Sequence, residues 1–135
     1  MQTLEPGTLI KVTGFSRYHF MKTGEIVTRH RSRLDEDMWA YGIMFYQDQD
    51  YPIYITEDNL QTLTSFIMNA TATQGIWRET INPDTVILFD TTRNPERITI
   101  QCNGKNPVHF EFEDGIGEKE IEKAMKTARE SVLTN

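Results

Sequence analysis

The chain has 135 residues, 38% of them hydrophobic and 25% charged, with a formal net charge of −6. That length suits one ordinary domain, or two small halves sharing one core, and it buries about two-thirds of the unfolded surface without a metal or disulfide staple. Residues 1–64 carry six Lys/Arg against nine Asp/Glu and residues 65–135 carry eight against eleven, so long-range repulsion disfavours a polyanionic partner.

The first half reads as short strands punctuated by glycine. Gly7-Thr8-Leu9-Ile10-Lys11-Val12 opens it, with Thr8, Ile10 and Val12 on one face and Leu9 and Lys11 on the other. Residues 14–23 are polar and aromatic and are expected to form a long loop. Ile26 and Val27 predict a short strand, and residues 29–37 a projecting hairpin tip, too polar for a core strand. Trp39, Tyr41, Ile43 and Phe45 alternate with Ala40, Gly42 and Met44, which predicts a strand. Gln47-Asp48-Gln49-Asp50 turns the chain, and Tyr51, Ile53 and Ile55 continue the sheet. Pro52 lacks one ladder donor and therefore belongs on an edge or at a strand start. A tight helical turn is expected over residues 56–60.

This order of pieces resembles an SH3-like small β-barrel of the KOW-like kind over residues 7–63. The likeness rests on a glycine before each early strand, an aromatic-glycine strand in the middle and the helical turn after it. It implies a module of the sort that binds RNA, ribosomes, peptides or partner subunits of larger enzymes, and does not choose among them.

In the second half, threonine enrichment predicts extended backbone across residues 64–85, with a turn at Asn82-Pro83-Asp84. The continuous apolar run Val86-Ile87-Leu88-Phe89 suggests a central strand buried on both faces. Ile98, Ile100 and Cys102 form one face of the next strand, and Val108, Phe110 and Phe112 one face of its neighbour. Setting Ile100 opposite Phe110 leaves residues 103–107 as the hairpin loop. After the break at Asp114-Gly115-Ile116-Gly117, a helix is expected from about Glu118, with Ile121, Ala124, Met125, Ala128 and Val132 on its apolar stripe. Glu118 and Glu120 suit its N-terminus, and Lys126 and Arg129 its last turns. The predicted fold class is α+β, mainly β, with an SH3-like first region (1–64) and antiparallel strands plus a C-terminal helix in the second (65–135).

The chemistry-bearing residues are few. Arg29, His30, Arg31 and Arg33 beside Trp39 and Tyr41 form a basic aromatic tip of the kind that meets phosphates and stacked bases. Asp35, Glu36 and Asp37 cancel that charge within the same loop, which favours a solvated tip. Arg17, Tyr18, His19 and Phe20 make either an aromatic binding surface or loop packing across the end of the sheet. Neither the consecutive acids 35–37, nor Glu111 with Glu113 and Asp114, nor Asp48 with Asp50 converge as metal ligands should. Cys102 and His109 are near in sequence but register places them on opposite faces, so Cys102 is expected to be a buried structural thiol.

A lone cysteine and the absence of a basic-then-apolar leader at the first residues point to a reducing cytoplasm. No apolar stretch approaches the ~20 residues of a membrane span. The expected function is a non-catalytic cytoplasmic protein-interaction module or accessory, regulatory subunit that needs no cofactor. Its partner-binding residues would be Arg17, Tyr18, His19, Phe20, Arg31, Arg33, Trp39 and Tyr41, and self-association into a homo-oligomer is compatible with it. An RNA- or DNA-binding regulator using the 29–33 tip is the alternative, and a small enzyme without a recognisable motif the third reading.

Overall fold

A computed structural model of the chain describes residues 3–14, 18–31, 38–45, 50–72, 75–82 and 84–133. Two compact units divide it, Met1–Leu63 and Thr64–Asn135. Among the described residues the fold is mostly antiparallel β-sheet, nine strands in two sheets, with a C-terminal helix and a shorter one.

In the first unit, β1 (Leu9–Val12), β2 (Thr23–Arg31), β3 (Trp39–Met44), β4 (Ile53–Thr56) and β5 (Leu60–Thr62) form one sheet in the order β4-β3-β2-β1-β5. A 3-10 turn, Glu57–Asn59, leads into β5 where a helical turn was expected. β4 is an edge strand, and Pro52 stands just before it, so its missing N–H interrupts no ladder bond. Period-two alternation gathers Ile10, Val12, Ile26, Tyr41, Ile43, Phe45 and Ile55 into one buried cluster, with Leu4, Trp39, Ile53 and Leu60 against it. Each such fully buried aliphatic contributes about 1.5–3 kcal/mol relative to exposure.

β2 runs further than its apolar content suggests. Arg29, His30 and Arg31 lie in the strand, opposite Tyr41, Ala40 and Trp39. Residues 29–31 are therefore strand, and the remaining residues of the expected tip, Arg33, Asp35, Glu36 and Asp37 among them, fall outside the described residues, as do most of the 47–50 turn and part of the 14–23 loop. The polar character of residues 29–31 misled because a ladder bonds backbone, not side chains, and a long β3 was present to pair with it. One irregularity interrupts that ladder between Ile26 and Thr28, and Val27 is left exposed there.

The expectation of extended backbone across residues 64–85 holds for the strand Ile76–Asn82 and is corrected ahead of it. Leu63–Ala70 is a helix, α1. Leu63, Phe66, Ile67 and Ala70 recur at i, i+3, i+4 and i+7, and Leu63 and Ile67 are fully buried. The threonines mark its ends: Thr71 closes it, its N–H at 2.9 Å and its hydroxyl at 2.8 Å both donating to the Ile67 carbonyl.

A four-stranded antiparallel meander follows: β6 (Ile76–Asn82), β7 (Thr85–Asp90), β8 (Glu96–Cys102) and β9 (Val108–Phe112). α2 (Glu118–Leu133) packs on β7 and β8 through Ile121, Ala124, Met125 and Ala128, as its stripe predicts; the side chain of Val132 lies outside the described residues. The helix runs a turn past Arg129, so neither Lys126 nor Arg129 sits in its last turn. β7 is central but not buried on both faces. Thr85, Ile87 and Phe89 are buried, while Val86 and Leu88, facing away from α2, are only half-buried.

β8 and β9 pair with Ile98 opposite Phe110 and Ile100 opposite Val108, two residues from the expected register. A shift of two keeps every side chain on its face, so the apolar pattern cannot distinguish the two registers. The loop decides: Lys105 N–H donates to the Cys102 carbonyl at 3.1 Å, the Gln101 side-chain amide donates to the Lys105 carbonyl at 3.1 Å, and Gly104 takes a φ of 74° that L-residues avoid.

Cys102 is 7% exposed, 3.7 Å from the Thr85 hydroxyl and on the face of Ile98 and Ile100. We expect an aromatic disulfide reagent to label it slowly in the native protein and at the rate of a simple thiol in denaturant. Fast native labelling would show that this face opens.

Candidate functional site

The residues singled out in the sequence separate into three groups. Arg17 and Arg33 lie outside the described residues. Tyr41 is not surface at all: its side chain is fully buried at the centre of β3 and its hydroxyl accepts the Leu4 N–H at 2.9 Å. Its burial corrects the expectation that it binds a partner, because alternation places it with Ile43 on the core face. Trp39 shares that face and is half-buried. Its ring lies under the Arg29 guanidinium, 5.3 Å away, and its backbone N–H donates to Glu57 Oε1 at 3.3 Å. Arg29 in turn donates to Glu5 Oε1 at 3.1 Å. Arg31 pairs with Trp39 along the backbone.

Tyr18, His19 and Phe20 form the third group, on the turn before β2. The turn is tied at both ends, Met21 N–H to the Val12 carbonyl at 2.7 Å and Lys22 N–H to the His19 carbonyl at 3.0 Å, and Met21 takes a φ of 66°. His19 points inward and stacks on Phe45 with centroids 4.7 Å apart and planes 20° from parallel. With the middle residue anchored on the core, its neighbours point out: Tyr18 is 67% exposed, Phe20 56% and Met21 40%. Partial burial, and secondarily the Lys22 charge, lower the His19 pKa.

A second exposed aromatic surface, not anticipated as a site, lies on the outer face of β2, β3 and β4. His30 and Tyr54 meet there with centroids 4.5 Å apart. Gly42 lies between them in the ladder, opposite both Thr28 and Tyr54. A Cβ on Gly42 would come within 2.5 Å of Thr28 Cγ2 and 3.1 Å of Pro52 Cβ and Tyr54 Cε1. The glycine lets these side chains close over the sheet. Strand alternation carried the signal, since Tyr54 lies between the core-facing Ile53 and Ile55 and must point outward.

Many of the second unit's polar groups are engaged with one another, although the buried Arg97 Nε has no hydrogen-bond partner. Arg97 donates to Glu111 at 2.7 Å and Arg93 stands 4.0 Å from the same oxygen; the Arg97 hydrogen bond is the main reason the Glu111 carboxyl lies below the ordinary carboxylate range. Asp90 is lowered chiefly by the Thr92 hydroxyl and then by its N–H. An open depression of about 490 Å³ contains Glu96, Asp114 and Glu120, but Glu96 accepts the Ile116 N–H at 2.8 Å and Glu120 the Gly117 N–H at 3.1 Å. Glu79, 3% exposed, accepts the Trp77 indole N–H at 2.7 Å. Among the described residues no three His, Cys, Asp or Glu side chains are grouped to hold a metal ion. His109 is exposed and bonded to Thr99 at 2.9 Å, on the opposite face from the buried Cys102.

Two predictions follow from this geometry. Gly42→Ala should destabilise the fold by about 1–3 kcal/mol in denaturant titration, through overpacking, and Thr28→Ser should recover part of the loss by removing the nearest methyl group. His19 should titrate below the ordinary histidine value of about 6.5 in an NMR pH series. The unfolded chain then takes up the proton first, so the contribution of neutral His19 is present above that value and lost as pH falls through it. Lys22→Met should move the His19 titration back upward.

Among known proteins no family model matches the chain, and no curated protein or solved structure matches it, so its function is read from its own surfaces.

Proposed function

We propose that the chain is a non-catalytic protein-interaction module, acting in the cytoplasm as an accessory or regulatory subunit, and that its first unit is an SH3-like small barrel of the KOW-like kind. The order β4-β3-β2-β1-β5, with a 3-10 turn leading into β5, supports the architectural part. The observation that carries the functional part is the turn before β2. Tyr18, Phe20 and Met21 are held out from the surface while the residue among them, His19, is stacked on the core. An exposed Phe forgoes about 1.5–3 kcal/mol of burial, and aromatic side chains on an anchored turn are the usual anchors of protein interfaces. Tyr51 and Tyr54, 79% and 49% exposed, extend the aromatic surface of the same unit.

The rival nucleic-acid reading finds less support. Arg29, the arginine of the basic segment whose side chain is described, lies over Trp39 and pairs with Glu5. The net charge of −6 opposes polyanions as well. The enzyme reading finds less support in the depression of the second unit, where two of the three acids, Glu96 and Glu120, accept backbone N–H groups.

The test is a paired measurement on wild type and a Tyr18→Ser/Phe20→Ser variant. Because both side chains are exposed, the unfolding free energy should change by less than about 0.5 kcal/mol. Affinity for a protein captured by the wild type should fall about 30-fold or more, the loss expected for anchor residues. Wild-type retention on immobilised RNA or heparin should be absent from low salt upward. Retention that weakens steeply with salt would replace this reading with the nucleic-acid one.

A further inference from the structure

The edges of the two sheets are not alike. β4 follows Pro52, β5 is three residues long, and β6 breaks register between Thr80 and Asn82; all are devices that discourage strand addition. β9 also follows a proline, Pro107, but of the four edge strands it is the one longer than four residues whose register is unbroken. Its five residues Val108–Phe112 make a regular ladder with β8, and among the described residues no strand pairs with its other side. Val108, 49% exposed, and the half-buried Phe110 and Phe112 occupy the face that carries α2, while the exposed His109 and Glu111 occupy the other. Phe110 and Phe112, with Lys123 and Thr127 of α2, line a crevice of about 20 Å³ beside this edge.

We propose that β9 pairs antiparallel with β9 of a second copy of this chain, about a twofold axis at Phe110, so that His109 of each copy faces Glu111 of the other. The register follows from the sequence of the strand. Continuity of the two faces allows twofold pairing centred on residue 109, 110 or 111. Centring on 111 opposes Glu111 with itself and sets Val108 against Asp114. Centring on 109 opposes His109 with itself and sets Phe112 against Asn106. Only the register at 110 pairs all five strand residues with one another, Val108 with Phe112, Phe110 with Phe110, and the basic side chain with the acidic one.

The groups on this face are already oriented for it. Glu111 is kept as a carboxylate by Arg97 and Arg93, and His109 uses Nδ1 toward Thr99, which leaves Nε2 on the other side of the ring. Pairing would extend the row Arg97–Glu111 into His109 and Thr99 of the second copy, twice by symmetry. On the other face the phenylalanines of both copies would cover each other beside α2. A five-residue edge is a small interface, so the dimer should be reversible and concentration-dependent.

Sedimentation equilibrium of the full chain tests the association: the mean mass should rise from 15.7 kDa toward twice that value with concentration. His109→Glu, an exposed change that sets two carboxylates opposite each other, should raise the dissociation constant about tenfold or more with an unchanged circular-dichroism spectrum. The register is tested in a Cys102→Ser background. A mixture of His109→Cys and Glu111→Cys chains should form a disulfide-linked pair, because directly opposed Cα atoms are about 4.5–5.5 Å apart. Either variant alone should not, since its two thiols would be offset by two residues. A chain that stays monomeric at every concentration overturns the proposal. So does a dimer indifferent to His109→Glu that fails to cross-link. A monomer that instead binds an extended peptide of unrelated sequence along β9, without self-pairing, would identify a foreign strand as the occupant and overturn it as well.

Discussion

A tyrosine buried at the centre of β3 constrains much of the first unit. The Tyr41 ring completes the core among Ile10, Ile26, Ile43 and Ile55, but its hydroxyl cannot be left without a partner there, since an unsatisfied buried polar group costs about 1–3 kcal/mol. The partner is the Leu4 backbone N–H, which draws the segment before β1 back to the sheet and sets Leu4 against the core. Glu5 then reaches Arg29, and Arg29 lies over Trp39. The Arg29–Glu5 pair is exposed and contributes only about 0–1 kcal/mol, so its effect is mainly on position. A segment that reads as a basic, aromatic tip is in this way drawn into the closing of a core.

The acids show the same economy. Glu96 and Glu120 accept the N–H groups of Ile116 and Gly117 where the chain leaves β9 and enters α2, Glu79 accepts the Trp77 indole, and Asp90 holds Thr92. Each satisfies a donor that a turn, a helix start or a buried ring would otherwise leave unpaired. Carboxylates used in this way are geometrically committed, and the 490 Å³ depression beside them is shaped by loop capping. Large apolar side chains, by contrast, stand exposed at other places: Tyr18, Phe20 and Met21 on the turn before β2 and Tyr54 on the outer face in the first unit, and Val108 on the β9 edge in the second. The two units thus present different invitations, side-chain surfaces in one and a backbone edge in the other.

Gly42 and Gly104 show how backbone freedom supports these surfaces. At Gly42 the missing Cβ admits Thr28, Pro52 and Tyr54 onto the outer face of the sheet. At Gly104 a positive φ completes the turn that sets the β8–β9 register, and hence which side chains flank the open edge. Neither role depends on a contact made by a side chain of the glycine itself.

What the sequence determines here is whatever follows from local periodicity. Alternation in residues 39–45, 98–102 and 108–112 and the apolar stripe of residues 121–128 are sufficient for the mainly β fold class, the C-terminal helix, the burial of Cys102 and the separation of His109 from it, because the side-chain period of a strand or helix is set by its own backbone. Tertiary structure decided what depends on a partner strand or on covering layers. β2 extends through Arg29–Arg31 because β3 is there to pair with it, and residues 63–70, where the stretch read as extended begins, become α1 because Leu63 and Ile67 find a buried surface. The β8–β9 register shifts by two because a period-two pattern is blind to even shifts and only the loop's hydrogen bonds choose. The same limit divides the candidate site. The aromatic character of Tyr18, Phe20, Trp39 and Tyr41 is written in the chain, but whether each ring lies in the core or in solvent depends on which neighbours, Phe45, Arg29 or Leu4, the fold brings to it.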